Sequence, residues 1–125
     1  MKLRMHGNSL RLRLSQGEVA QFSKTGFVED SVQFGAGVKL AYTIESSSSL
    51  SSPQASYQDH SVRIQIPSEA AREWYMTDRV SISADQAIEA GKTLSILIEK
   101  DFQCLHGGEE RDPDAYPNPL QESLR

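Results

Sequence analysis

The sequence has one cysteine, few aromatic residues and no long apolar run. Because Cys104 is alone among the 125 residues, an internal disulfide is excluded and a reducing compartment is expected. No apolar stretch approaches the roughly 20 residues of a membrane-spanning helix. Lys2 and Arg4 are not followed by the apolar segment that a signal peptide requires. We therefore expect a soluble, cytoplasmic domain with a modest core.

Negative charge exceeds positive charge overall, but the two signs are unevenly distributed. The chain has 13 Lys and Arg against 17 Asp and Glu, a formal net charge of −4. Residues 1–27 hold five cations and a single anion, whereas residues 101–125 hold two cations and six anions. A basic beginning and an acidic end predict either internal pairing or a polar binding face.

The apolar pattern of the first half predicts two hairpins flanking a short helix. Strict alternation up to Leu14 fits a hairpin with a two-residue turn at Gly7 and Asn8. The spacing of Ser15 and Glu18 is that of a helix capping box, and Gly26 is a suitable helix end. Two further alternating segments separated by a Gly-Ala-Gly turn complete a ββαββ unit.

The second half repeats this order of patterns. An offset of 52 residues aligns the opening hairpins and helices, so that Phe22 corresponds to Trp74. After the helix we expect the offset to fall to 48 and then to become 54. The predicted fold is α+β: a small, mainly antiparallel β-barrel from two ββαββ repeats, at 2–45 and 54–100, with two short helices. We expect one domain over residues 1–106 and an acidic, proline-containing tail over 107–125.

The motifs resemble two families. Residues 7–15, followed by a capped helix, resemble the N-terminal hairpin of AbrB-type regulators and MazE-type antitoxins, and residues 61–67 resemble the same unit. Those families build a swapped-hairpin barrel from two chains, so the resemblance implies a single-chain pseudo-dimer over residues 2–100. The whole chain also resembles a small bacterial family of unknown function, on the strings at 1–4, 7–11, 99–105 and 116–119.

The sharpest chemical feature is a cluster of cations on one face of the first hairpin. Its register places Arg4 opposite Arg11 and Lys2 opposite Arg13, and facing like charges destabilise a strand pair. We call these four residues the basic face. An anion should therefore lie over them: Glu45, Glu99, Asp101 or the acidic tail, a phosphate-bearing ligand, or nucleic acid.

Nucleic acid is one candidate partner. The AbrB and MazE families read DNA with this hairpin, so the resemblance implies the basic face as phosphate contacts, with Asn8 or Ser9 near a base edge. The repeat departs from this pattern, because Gln54, Ser56 and Gln65 replace Lys2, Arg4 and Arg13. Arg63 is the remaining cation of the second hairpin and the fifth candidate anion-binding residue. The acidic tail is a candidate competitor for the anion.

An enzyme is the alternative. If the basic face pointed into a barrel, its cations with Glu45 and Glu99 could hold a polyphosphate in a metal-dependent phosphohydrolase. Asp101, Cys104 and His106 could ligate a metal, but they lack a second ligand pair at zinc spacing. We favour a non-enzymatic binding protein without a cofactor or metal, in which a polyanion binds at the basic face.

Overall fold

Short turns and helix caps divide the chain into eight strands and two helices within the part that the structure describes. The structure is a computed structural model that describes residues 1–102 and Tyr116. Cys104, His106 and the remainder of the segment 107–125 lie outside the described residues. The elements are β1 Lys2–His6, β2 Ser9–Leu14, α1 Gln16–Thr25, β3 Phe27–Gly35, β4 Val38–Ser47, β5 Gln54–Gln58, β6 Ser61–Pro67, α2 Ser68–Met76, β7 Ser81–Glu89 and β8 Lys92–Lys100.

The locally encoded features of the first half are confirmed. Strands β1 and β2 pair in the register that places Arg4 opposite Arg11. The hydroxyl of Ser15 accepts from the Glu18 amide, the Glu18 carboxylate accepts from the Ser15 amide, and both hydrogen bonds of the capping box are present. Gly26 ends α1 at φ +73°, a left-handed conformation that glycine adopts without steric cost.

Each sheet combines one hairpin from each half of the chain. The strand orders are β1-β2-β8-β7 and β3-β4-β6-β5. Hairpins pair antiparallel, but the central pairs β2/β8 and β4/β6 are parallel. Each central pair joins a strand of the first half to a strand of the second, so each four-stranded sheet requires hairpins from both halves.

A two-fold relation between the halves holds in the strand register. Ser9 pairs with Ser95 in one sheet, and Ser61 pairs with Ala41 in the other. Ser61 follows Ser9 by 52 residues and Ser95 follows Ala41 by 54 residues. The two parallel pairs are therefore equivalent when residues before the helices are shifted by 52 and residues after them by 54. The expected offset of 48 for the strand after the helix was wrong. The register of β7 with β8 is that of β3 with β4 shifted by 54 residues, and the bulge at Gln33/Gly35 recurs at Ala87/Glu89 with the same shift. Alternating strands look alike when shifted by an even number of residues, so the sequence pattern could not distinguish the two offsets.

The expectation of a closed barrel requires correction. The described strands form two separate four-stranded sheets whose apolar faces share one core, with Leu12 and Ile98 from one sheet and Ile44 and Ile64 from the other. Alternation shows which side of a strand is buried, but it does not show whether edge strands pair.

One side chain joins the edge strands β5 and β7, which would have to pair through backbone hydrogen bonds if the two sheets closed into a barrel. Gln86 on β7 accepts from the Ala55 amide of β5 at 2.7 Å and donates to the Ala55 carbonyl at 3.1 Å. At the equivalent position of the first half stands Val32, which has no side-chain hydrogen-bonding group. The two edges of the molecule are therefore joined differently.

We expect Gln86→Val to lower the free energy of unfolding by about 1–2 kcal/mol. The substitution leaves the amide and carbonyl of Ala55, a buried residue, without these partners. Urea denaturation measures the loss. Gln58→Val is the matched control, because Gln58 is exposed on β5 and should change stability by less than about 0.5 kcal/mol. Equal effects of the two substitutions would contradict the bridging role of Gln86.

Candidate anion-binding site

The four cations of the basic face lie together on the outer side of the first sheet. In β1 and β2 they alternate with Leu3, Leu12 and Leu14, which turn toward the core. Lys2 and Arg4 are exposed on the edge strand, whereas Arg11 and Arg13 are half-buried on the inner strand. The four side chains line a depression of about 210 Å³.

One carboxylate binds two of these cations. The parallel pairing of β2 with β8 places Glu99 beside Arg13. The Nε groups of Arg11 and Arg13 both donate to Glu99 Oε1 at 2.6 Å, and Glu99 is only 13% exposed. Glu99 therefore neutralises part of the like-charge repulsion that the hairpin register creates.

A second carboxylate binds at the lower edge of the face. Lys2 Nζ lies 3.0 Å from Asp101 Oδ2, and Arg13 Nη1 lies 4.0 Å from Asp101 Oδ1. Arg4, in contrast, has no carboxylate within 4.0 Å among residues 1–102. Two carboxylates of the described chain thus contact three of the four cations, and Arg4 is left with its charge toward solvent and the depression.

The ion pairs shift the titration of both acids. Burial of Glu99 opposes its ionisation, but hydrogen bonds from Arg13 and Arg11 outweigh burial and hold its pKa below the ordinary value. The hydrogen bond from Lys2 lowers the pKa of Asp101. Both acids are therefore anions at neutral pH.

The fifth candidate, Arg63, lies in the other sheet. It occupies the position equivalent to Arg11 and pairs with Glu45, the equivalent of Glu99, at 2.8 Å. Gln65 donates to the same Glu45 oxygen at 3.0 Å, where Arg13 donates to Glu99. Both sheets thus have the same arrangement of hydrogen bonds, but in the second sheet the shared carboxylate binds one cation and one neutral amide instead of two cations.

The turn residues considered for base contacts are engaged within the fold. Asn8 Nδ2 donates to the Thr93 carbonyl at 2.7 Å, which fixes the first hairpin to β8. Ser9 Oγ donates to the His6 carbonyl at 2.6 Å across the turn. Their side-chain donors therefore stabilise the hairpin end.

The arrangement required for the hydrolase alternative is not found in the described part of the chain. Glu45 and Glu99 lie in different sheets on outer faces, and the basic face does not point into a barrel. Residues 1–102 contain no group of three or more His, Cys, Asp or Glu side chains suited to hold a metal ion. Cys104 and His106 lie beyond that range.

Comparison with known proteins places the chain in a family without assigning an activity. A family model described as a family of unknown function matches residues 1–120. The chain belongs to this family, DUF7009. No curated protein and no solved structure matches the chain. The resemblance to a family of unknown function is thereby confirmed. Within the described residues, neither helix is long and apolar enough to cross a membrane.

A further depression adjoins the basic face and was missed by sequence reasoning. It has a volume of about 480 Å³, and Arg11 lines it as well as the smaller depression. Besides Arg11, its polar side chains come from three strands, as Ser9, Ser83, Asp85 and Ser95. We call these four residues the serine groove. Nothing in the alternation of single strands indicates it, because it depends on β2 lying beside β8.

Proposed function

We propose that this protein binds a phosphate-bearing anion at the basic face. The observation that carries the proposal is Arg4, an exposed guanidinium without a carboxylate within 4.0 Å in residues 1–102, beside a depression lined by four cations. An anion at Arg4 would relieve the repulsion between Arg4 and the facing Arg11, which costs up to about 1 kcal/mol for a directly opposed pair.

The shape and donors of the depression favour a phosphate group. Guanidinium groups present several N–H donors in a plane and bind phosphate oxygens in pairs. A volume of about 210 Å³ is below the roughly 300–1,000 Å³ of ordinary small-molecule sites. The depression therefore suits one anionic group of a ligand.

Nucleic acid is the second form that the anion could take. The resemblance of the hairpin to AbrB-type and MazE-type units supports it. Affinity for a nucleic acid backbone depends on the number of phosphates that are neutralised, however, and only one of the two hairpins carries the cluster, so binding at ordinary salt would be weak. Arg63 is the one Lys or Arg of the second hairpin. Because it is paired with Glu45, it adds little to a contact with a nucleic acid backbone.

We expect Arg4→Ala to weaken the binding of inorganic pyrophosphate about tenfold or more, because a charge-assisted hydrogen bond contributes about 1.5–3 kcal/mol. Isothermal titration calorimetry at low salt measures the change. Arg4 makes no ion pair in the described chain, so its removal should leave the fold intact, which circular dichroism checks.

Arg72→Ala is the matched control. Arg72 is exposed on α2, so this variant loses the same charge from another surface. Equal weakening by both variants would show that only net charge matters, and unchanged binding by Arg4→Ala would refute the proposed site. The same titration with duplex DNA at two salt concentrations distinguishes nucleic acid from a compact anion.

A further inference from the structure

The basic face and the serine groove are adjacent and meet at one residue. Arg11 Nε is directed to Glu99, and its side chain lines both depressions. The smaller depression is lined by cations, whereas the larger one combines three serine hydroxyls and the Asp85 carboxylate with apolar residues such as Leu97. A ligand that filled both would have an anionic end and an uncharged, polar remainder.

The chemistry of the serine groove is suited to hydroxyl groups. Ser95 Oγ donates to Asp85 Oδ1 at 3.0 Å, which orients the carboxylate of Asp85 on the edge strand β7. Both Asp85 and Ser83 are exposed, so a ligand can reach them. A carboxylate accepts hydrogen bonds from neighbouring hydroxyls of a sugar. The hydroxyl of Ser83 can donate or accept, whereas those of Ser9 and Ser95, which donate within the fold, can accept. Leu97, which also lines the groove, offers an apolar surface for the C–H face of a sugar ring.

The sign of the charge changes along the same surface. Positive side chains occupy β1 and β2, and the negative Asp85 stands on β7 at the far side of the sheet. A continuous polyanion crossing the strands would bring phosphates against Asp85. A small ligand with its phosphate at one end would avoid that repulsion.

A depression on the second sheet, which shares with the serine groove the positions of Ser9, Arg11, Ser83 and Leu97, lacks these properties. It contains Glu29, Glu45 and Asp59 with the single cation Arg63. Its position equivalent to Ser83 is Glu29, so an acid stands where the first sheet has a hydroxyl. The first sheet alone, within the described residues, combines a cluster of four cations with a groove that contains a single acid, Asp85.

Resting on the proposed function, we infer that the ligand is a phosphorylated sugar, with its phosphate at the basic face and its hydroxyl groups in the serine groove. Ribose 5-phosphate is a suitable probe, because it joins one phosphate to a hydroxyl-rich ring. Inorganic phosphate tests the basic face alone, and free ribose tests the groove alone.

Calorimetric titration of the full chain tests the inference. Ribose 5-phosphate should bind at least tenfold more tightly than inorganic phosphate, and Asp85→Ala should reduce this ratio to about twofold while leaving the affinity for inorganic phosphate unchanged or slightly higher. Ser31→Ala is the control, since Ser31 is the equivalent of Asp85 in the second sheet and should not alter the ratio.

Three other outcomes would overturn either the inference or the proposed function. Equal affinity for ribose 5-phosphate and inorganic phosphate would overturn the inference and leave the proposed function standing. Tighter binding of a short single-stranded oligonucleotide than of ribose 5-phosphate would overturn it in favour of nucleic acid. Binding of none of these probes would refute the proposed function itself.

Discussion

Glu99→Gln should lower the free energy of unfolding by about 2–3 kcal/mol and at the same time strengthen the binding of phosphate several-fold. Glu99 is the shared counter-charge of Arg11 and Arg13, at 2.6 Å from each Nε. Removing one partner of a buried pair typically costs about 3–5 kcal/mol, and the partial exposure of the two arginines reduces that cost. Arg11, released from Glu99, becomes available to an anionic ligand.

Glu45→Gln is the matched control in the other sheet. Glu45 has the equivalent position, but it pairs with one arginine, Arg63, which is 56% exposed. We expect a loss of about 1 kcal/mol or less and no change in phosphate binding. Urea denaturation and calorimetric titration measure both effects. A loss as large as that of Glu99→Gln, or unchanged phosphate binding by the Glu99 variant, would contradict the assignment of the basic face.

The pH dependence of stability provides an independent check on Glu99. Because its pKa is lowered in the folded protein, the folded state holds the proton less tightly than the unfolded chain, whose ordinary value is 4.5. The ionic stabilisation is therefore complete above the ordinary pKa and is lost as pH falls through the lower pKa of the folded state. Asp101 contributes with the same sign. Below pH 4.5 the stability of Glu99→Gln should decline less steeply than that of the native protein.

What could be predicted from the sequence was the local structure. The turn at Gly7 and Asn8 joins neighbouring segments, so alternation alone determines that Arg4 faces Arg11. The capping box likewise depends on residues three apart, Ser15 and Glu18. These interactions form between residues close in the chain, and their signals are therefore complete within a short window of sequence.

The partners of the basic face required information that no short window contains. Glu45, Glu99 and Asp101 were all candidates to neutralise it, and the structure brings Glu99 and Asp101 to it while Glu45 pairs with Arg63. Which carboxylate meets which cation depends on the parallel pairing of the strands. Paired residues of β2 and β8 are 86 positions apart in the chain, and those of β4 and β6 are 20 positions apart. The serine groove depends on the same exchange of hairpins.

Shared residues did hold a clue to that exchange. Arg11 and Arg63, and Glu45 and Glu99, are among the few identities between the halves. In the structure each arginine pairs with the glutamate of the opposite half. The repeated ion pair is thus the side-chain counterpart of the repeated parallel pairing.

Trp74→Ala should cause the largest loss of stability, about 3–5 kcal/mol, because the side chain is fully buried. Its Nε1 also donates to the Val80 carbonyl at 2.9 Å, which fixes the chain between α2 and β7. Thermal or urea denaturation measures the loss. Phe34→Ala is the control, since Phe34 is 71% exposed and its removal should cost less than about 0.5 kcal/mol.

The same tryptophan offers a test of the two-fold relation between the halves. Phe22 and Trp74 are equivalent under the offset of 52, and they contact each other edge to face with ring centroids 6.2 Å apart. Equivalent residues can touch only near the axis that relates them, so α1 and α2 meet at this axis. A double-mutant cycle with Phe22→Leu and Trp74→Leu should give a coupling energy of about 0.5–1.5 kcal/mol, the range for aromatic pairs of this geometry. Additive effects would show that each ring stabilises its own half independently. A coupling energy in the expected range would show that the contact between the two rings stabilises the core that the halves share.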